Sequence, residues 1–202
     1  MLDRRPDWTG TPYPLLRHLT LPVVAVTTSA EGQRNGMIAN SAQRASLVPS
    51  IPRVTLYISK TNRSHDLVYT SGLLAVHLLR QDQWELIWRL GLVSGRDADK
   101  LAGLEVRQGD TGCPYLTDCI AAFECHVSNA MDAGAATFFL ADVVTVHEGT
   151  AGPVMTSTFF REHMPPDRKR QYEDRLAAAQ ETLAAMASSV SRKSWPGVTA
   201  QT

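Results

Sequence analysis

The stretch Leu21-Pro22-Val23-Val24-Ala25-Val26-Thr27-Thr28-Ser29-Ala30-Glu31-Gly32 decides the fold class. Leu21, Val23 and Ala25 alternate with Val24 and Val26, which reads as a buried β-strand. The run is expected to break at Thr27–Gly32, where small polar residues and glycine favour a turn. A second run, Val54-Thr55-Leu56-Tyr57-Ile58-Ser59, follows Pro52 and is rich in β-branched and aromatic side chains. Between them Gly36-Met37-Ile38-Ala39-Asn40-Ser41 is polar at both ends and too short for a full helix.

Outward from this stretch, Thr61 or Asn62 can cap a short helix reaching about Thr70, and Gly72 ends it. Leu73 to Leu79 reads as a strand with Leu74, Val76 and Leu78 on one side; His77 lies opposite, as a surface or interface residue. Gln81 to Leu92 is helix-like, with Trp84, Ile87, Trp88 and Gly91 on one face. Asp97 to Leu101 suits a single turn, and Gly109 to Pro114 a loop. Two further strands follow, near Cys119–Asn129 and Thr137–Val146. After Pro165-Pro166 a long helix runs to about Val190, with Tyr172, Leu176, Ala179, Leu183, Met186 and Val190 as an apolar stripe that packs on the barrel or across a dimer.

About five strands lie close enough in sequence for antiparallel pairing, without the regular crossovers of a parallel sheet. A mainly β, antiparallel barrel with inserted helices and a long C-terminal helix is expected. The chain divides into an amino-terminal extension over 1–20, a barrel domain over 21–150, and a helical extension with a loose tail over 151–202.

Composition narrows the partners. The 202 residues include 20 basic and 20 acidic side chains, a balance that argues against a broad nucleic-acid or anionic-membrane surface. No apolar run reaches the roughly 18 residues needed to cross a bilayer, and Met1–Thr20 does not resemble a signal peptide. Three cysteines, an odd number, suit a reducing cytoplasm. Cys113, Cys119 and Cys125 lack zinc spacing; Cys125 reads as a core residue, while Cys113, in a loop, is the one expected to be exposed. No metal pattern is present among the six histidines, no catalytic residue is assigned, and no Gly-x-Gly-x-x-Gly fingerprint occurs.

Two polar segments follow strands and are candidate binding elements. In the first, Thr27, Thr28, Ser29, Asn40 and Ser41 surround Gly32 and Gly36. They read either as turn formers or as donors aimed at a polar ligand. In the second, Ser59-Lys60-Thr61-Asn62-Arg63-Ser64-His65-Asp66 brings two cations and several hydroxyls to a helix start, where the dipole favours an anion. The alternative there is a solvated cap with Arg63 paired to Asp66. His163 is a weak pocket candidate, and Trp84 and Trp88 read as anchors of the inserted helix.

These residues carry a resemblance. Val24–Gly32 with Asn35–Ser41, then Ser59–Leu67, Gly72–Leu79, Phe123-Glu124-Cys125, Asp132-Ala133-Gly134 and Phe138–Val143 together resemble the flavin reductase-like family. The resemblance covers roughly Leu21 to Glu148. It implies a Greek-key split β-barrel that binds FMN, as a homodimer with the flavin near the subunit interface. It also implies that Thr27, Thr28 and Ser29 lie along the flavin and its ribityl chain, that Asn40 and Ser41 contact the ring edge, and that Ser59, Lys60, Arg63 and Ser64 hold the phosphate. The implied activity is hydride transfer from NADH or NADPH to flavin N5, with a partner oxygenase as one electron acceptor. Two alternatives stand beside it: an oxidase or oxygenase with tightly held FMN acting on a small organic substrate, and a non-enzymatic module on the same barrel. Two departures mark this chain. Val48-Pro49-Ser50-Ile51-Pro52-Arg53 replaces the Asp-Pro-Pro frequent before the second strand, and the long helix replaces a short aromatic and histidine ending.

Overall fold

The computed structural model describes residue 19, residues 21–187 and residues 189–190. The rest of the expected amino-terminal extension and the tail from Ser191 lie outside the described residues. The first three strands are β1 (Val24–Ala30), β2 (Gln33–Ala39) and the short β3 (Gln43–Arg44); β4 (Arg53–Ser59), helix α1 (Arg63–Ser71) and β5 (Leu73–Leu78) follow. Helix α2 (Trp84–Leu92), the small hairpin β6 (Val106–Gln108) and β7 (Pro114–Leu116), and the long hairpin β8 (Ala121–Asp132) and β9 (Ala136–Glu148) come next. Helices α3 (Ser157–His163) and α4 (Pro166–Ala184) close the described chain. Among the described residues no helix is long and apolar enough to cross a membrane.

Seven strands form one antiparallel sheet in the order β2-β1-β5-β8-β9-β4-β3, curled into a split barrel. The alternation at Val23–Val26 explains the position of β1. Val24 and Val26 fill the barrel interior with Met37, Leu56, Leu74 and Phe139. Val23 and Ala25 face outward into a second core with Ile87, Trp88, Leu90 and Phe160. A strand buried on both faces needs a continuous apolar run, and this one has it.

Several expectations change. The break begins later than Thr27: β1 runs through Ala30 and pairs Thr27 with Gly36, so the segment 36–39 is strand rather than irregular. The turn is Glu31-Gly32 alone, with φ of 51° and 75°, the backbone of a two-residue hairpin matched to strand twist. Helix α1 is capped as expected: Asn62 Oδ1 accepts from Ser64 N at 2.9 Å, and Gly72 closes it at φ 68°. Helix α3 was not anticipated; Thr156 Oγ1 caps it by accepting from Phe159 N at 3.1 Å. In α4 no residue is buried. The helix ends at Ala184, short of the expected Val190; of the expected stripe, Tyr172, Leu176 and Leu183 within it and Met186 beyond it are half-covered, while Ala179 and Val190 are exposed, so the helix is only lightly seated. Tyr172 meets Phe160 edge-on at 5.6 Å, and a Cβ on Gly134 would lie 2.8 Å from the Met186 carbonyl oxygen, just beyond the end of the helix.

Trp84 and Trp88 stack at 5.4 Å and pack on Phe160, so they anchor α2 as expected. His77 and Cys113 do not keep the exposed positions expected of them. Cys113 is fully buried. His77 is also fully buried: Leu116 N donates to Nε2 at 3.0 Å, which leaves the proton on Nδ1 to donate to Ala25 O at 3.2 Å. The outward side of β5 is therefore covered by β7, a pairing that no local pattern around His77 reveals.

Burial holds the His77 pKa down from 6.5 to about 4, against the pull of the Ala25 carbonyl. As pH falls from 6.5 towards 4, the unfolded chain takes a proton that the folded chain refuses, so stability is full above the window and declines through it. That gap corresponds to about 3 kcal/mol. His77→Gln should flatten the fall in urea-unfolding free energy across the same window; an unaltered pH slope would contradict the assignment.

Candidate functional site

The seam of the barrel builds the site. Strands β2 and β3 are the two edges of the sheet, yet only residues 40–42 separate them in the chain. At this crossing Ser41 Oγ donates to Tyr57 O at 3.0 Å and accepts from Tyr57 N at 3.2 Å, tying the seam to β4. Asn40 stands exposed beside it. A cavity of about 800 Å³ opens here, with Asn40, Ser41, Tyr57 and Phe138 on its barrel side. Arg161 of α3 and Tyr172 of α4 are among the residues opposite. That volume falls within the range of small-molecule and cofactor sites.

From Tyr57, β4 leads directly to the cationic segment. Two residues of strand, about 7 Å, separate Tyr57 from Ser59, whose Oγ lies 2.9 Å from Thr61 Oγ1. Lys60 Nζ pairs with Asp132 at 2.9 Å, and Arg63 Nη2 donates to Gln33 Oε1. Sequence reading missed a third cation. Arg96, from the loop after α2, donates to Thr61 O at 2.8 Å and pairs with Asp66 at 3.2 Å. Its loop can approach because Gly95 has no side chain: a Cβ there would meet Asn35 Oδ1 at 2.2 Å. Asn35 in turn donates to Ser64 Oγ at 2.9 Å. Arg63 and Arg96 share Asp66 at the start of α1, Lys60 lies just ahead of the helix paired with Asp132, and the helix dipole adds positive potential there.

Not every candidate reaches this surface. Thr27 and Thr28 are fully buried, their hydroxyls donated to Pro114 O and Leu73 O. They join β1 to neighbouring segments, and neither hydroxyl faces the cavity. Ser29 is half-buried beside Gly112 and lines a separate groove near the β1–β2 turn. Ser64 is fully buried with its Oγ on Asn35, so its hydroxyl braces the cradle from behind. His65 faces inward too: Nε2 meets Thr137 Oγ1 at 2.8 Å, and burial holds its pKa below the ordinary value despite Asp66. It adds no positive charge at neutral pH. His163 is exposed and stacks on Phe159. Ser41, held at Tyr57, and Ser59, Lys60 and Arg63, which follow Tyr57, are all placed by the C-terminal part of β4, with Asn40 beside Ser41.

The seam cavity and the cationic helix start suit a ligand with a polar-edged ring system at one end and an anionic group at the other, which is the form of a flavin mononucleotide. The residues present fit such a group. A family model described as flavin reductase like domain matches residues 16–166. The chain is 28% identical over 149 residues to the high molecular weight rubredoxin of Moorella thermoacetica, covering 73% of this chain and 64% of that protein. It is 30% identical over 121 residues to the ferric-chelate reductase (NAD(P)H) of Archaeoglobus fulgidus, covering 59% and 70%. Nitrilotriacetate monooxygenase component B from Mycobacterium thermoresistibile has a similar structure, with a TM-score of 0.58 at 29% identity over 66% of this chain and 72% of that one. The first of these relatives is thus spanned over less than two thirds of its length. With three quarters of its residues inside the family match, the chain belongs to the flavin reductase-like domain family.

Proposed function

We propose that this protein is an FMN-dependent oxidoreductase, an NAD(P)H:flavin reductase, which holds the ring system against Asn40 and the phosphate among Lys60, Arg63 and Arg96. The observation that carries this reading is that β4 connects both ends: Ser41 is bonded to Tyr57, and the cationic turn begins two residues later at Ser59. When bound, the flavin supplies the hydride-accepting ring, so the protein needs no acid–base dyad of its own. Ser41 is committed to Tyr57 and fixes the path of the seam, leaving the Asn40 amide to address the ring edge. Lys60 and the two arginines neutralise the phosphate, the arginines offering planar forks and the lysine a point charge.

Tyr172 and Leu176 of α4 lie across the cavity from Tyr57 and Phe138 and limit access of water to the ring end. This roof favours a flavin retained through turnover over one released at each cycle. The likeness to a monooxygenase component supports a partner oxygenase as electron acceptor. A second copy of the chain is the further partner proposed. Tyr57, Phe138 and Met131 form one row across β4, β9 and β8, and Tyr57 and Met131 are 50% and 58% exposed. An apolar row beside the cavity suits a homodimer face.

Three measurements test this reading. Anaerobic addition of NADH or NADPH to the flavin-loaded protein should bleach the long-wavelength flavin band; no bleaching with either would exclude the reductase. Arg96→Ala, and separately Lys60→Ala with Arg63→Ala, should weaken FMN binding at least about tenfold, as expected for charge-assisted bonds. Riboflavin, which lacks the phosphate, should bind these variants as it binds the parent protein, and equal losses for both flavins would remove the phosphate assignment. Met131→Glu should halve the mass seen by sedimentation, whereas an unaltered dimer would move the interface elsewhere.

A further inference from the structure

Behind Asn40 lies a second, smaller cavity of about 220 Å³. It shares Asn40, Ser157, Arg161 and Tyr172 with the larger one, so the two open onto the same four residues. Its deep walls are apolar and partly aromatic: Ile38 from β2, Ile87, Trp88 and Gly91 from α2, and Phe160 from α3. Gly91 keeps this space open, because a Cβ at that position would already touch Ile38 Cγ1 at 3.4 Å. The family match ends at residue 166, so Tyr172, the part of its wall contributed by α4, lies outside the matched span.

Size, wall chemistry and charge select the occupant. An apolar cavity of about 150 Å³ is already enough to hold benzene, so this annex accommodates one substituted ring and is too small for a flavin. Aromatic walls favour a flat ring by edge and face contacts. No carboxylate lines the annex; Glu162 and Glu173 border only the larger cavity. Two polar groups stand at the junction without a hydrogen-bond or ion-pair partner among the described residues, the Arg161 guanidinium and the Asn40 side-chain amide. The third, Ser157 Oγ, is already donated to Leu21 O. An unpaired guanidinium at the mouth of an apolar slot matches a carboxylate, which it can engage with two parallel hydrogen bonds.

We propose that the annex is a binding subsite for a small single-ring aromatic carboxylate, with its ring among Ile38, Trp88 and Phe160 and its carboxylate on Arg161. The occupant lies against Asn40, whose other side borders the larger cavity. It is therefore a second organic ligand next to the proposed flavin position; its assignment as neighbour of a flavin rests on the function proposed above, whereas its binding does not.

The test uses the purified full-length chain, with and without FMN, and benzoate as the probe in isothermal titration. Benzoate should bind saturably with a dissociation constant of about 1 mM or tighter, the range open to so small a ligand. Benzyl alcohol, with the ring but no charge, and acetate, with the charge but no ring, should each bind at least about tenfold more weakly. Gly91→Leu, which places a side chain in the annex, should abolish benzoate binding while FMN still titrates. Arg161→Gln should weaken benzoate at least about tenfold and leave benzyl alcohol unaltered, and it serves should the leucine variant misfold. Absence of saturable binding, equal affinity for benzoate and benzyl alcohol, or retention of benzoate by a folded Gly91→Leu protein would overturn the proposal. Loss of FMN binding in the parent protein with benzoate binding intact would count against the flavin assignment and leave the annex standing.

Discussion

The two edge strands of the sheet are held together by the chain itself. Four residue steps lead from Ala39 at the end of β2 to Gln43 at the start of β3, a span of at most about 14 Å. A flat sheet of seven strands would hold its edges roughly twice that far apart, so this one has to curl. The interior it encloses is filled from several sides, by Val24 and Val26, Leu56 and Ile58, Leu74 and Val76, and Phe139. Ser41 then ties the short crossing to β4 through two modest hydrogen bonds. Those bonds do little for stability, on the order of 1 kcal/mol each. What they do is fix the path of three residues, and the polar amide of Asn40 is left exposed where the chain crosses between the sheet's two edge strands.

Electrostatics just past the C-terminal end of β4 follow a similar economy. Each of the three cations near the start of α1 already has an oxygen partner: Asp132 for Lys60, Gln33 and Asp66 for Arg63, and Thr61 with Asp66 for Arg96. Partly exposed pairs of this kind contribute about 0–1 kcal/mol apiece, so an incoming phosphate loses little by competing with them. In the meantime the pairs hold three flexible side chains in place, two of them on one carboxylate, and reduce the ordering cost of anion binding. The same arrangement makes the cradle sensitive to ionic strength, since little of it is shielded from solvent.

Local signals were legible and long-range ones were not. The apolar run of β1, the Asn62 cap and the Gly72 stop of α1, and the anchoring tryptophans could all be read from spacing, because each depends on neighbours within a few residues. Thr27 and Thr28 misled because their composition suits a turn, whereas their hydroxyls satisfy carbonyls of Pro114 and Leu73, which are far away in sequence. His77 gave no sign of burial, since the strand that covers it, β7, follows a long irregular stretch. Arg96 was invisible for a related reason: its role depends on Gly95 settling against Asn35. The small cavity behind Asn40 draws its walls from four separate elements, a convergence that no single segment encodes. The light seating of α4 was also hidden, because an apolar stripe shows which side of a helix turns inward but not how much it finds there to pack against.

The three cysteines are all free and fully covered. Burial raises the Cys119 thiol to about 11 and the Cys125 thiol to about 12, and it pushes Cys113 higher still. Almost no thiolate exists at neutral pH, and alkylating or oxidising reagents have no direct route to the sulfur atoms. Cys125 sits inside the barrel, while Cys119 belongs to the outer cluster beneath α2. The two layers thus carry separate native reporters. The order in which these sulfurs become reactive under mild denaturant records whether the helical coat loosens before the barrel opens.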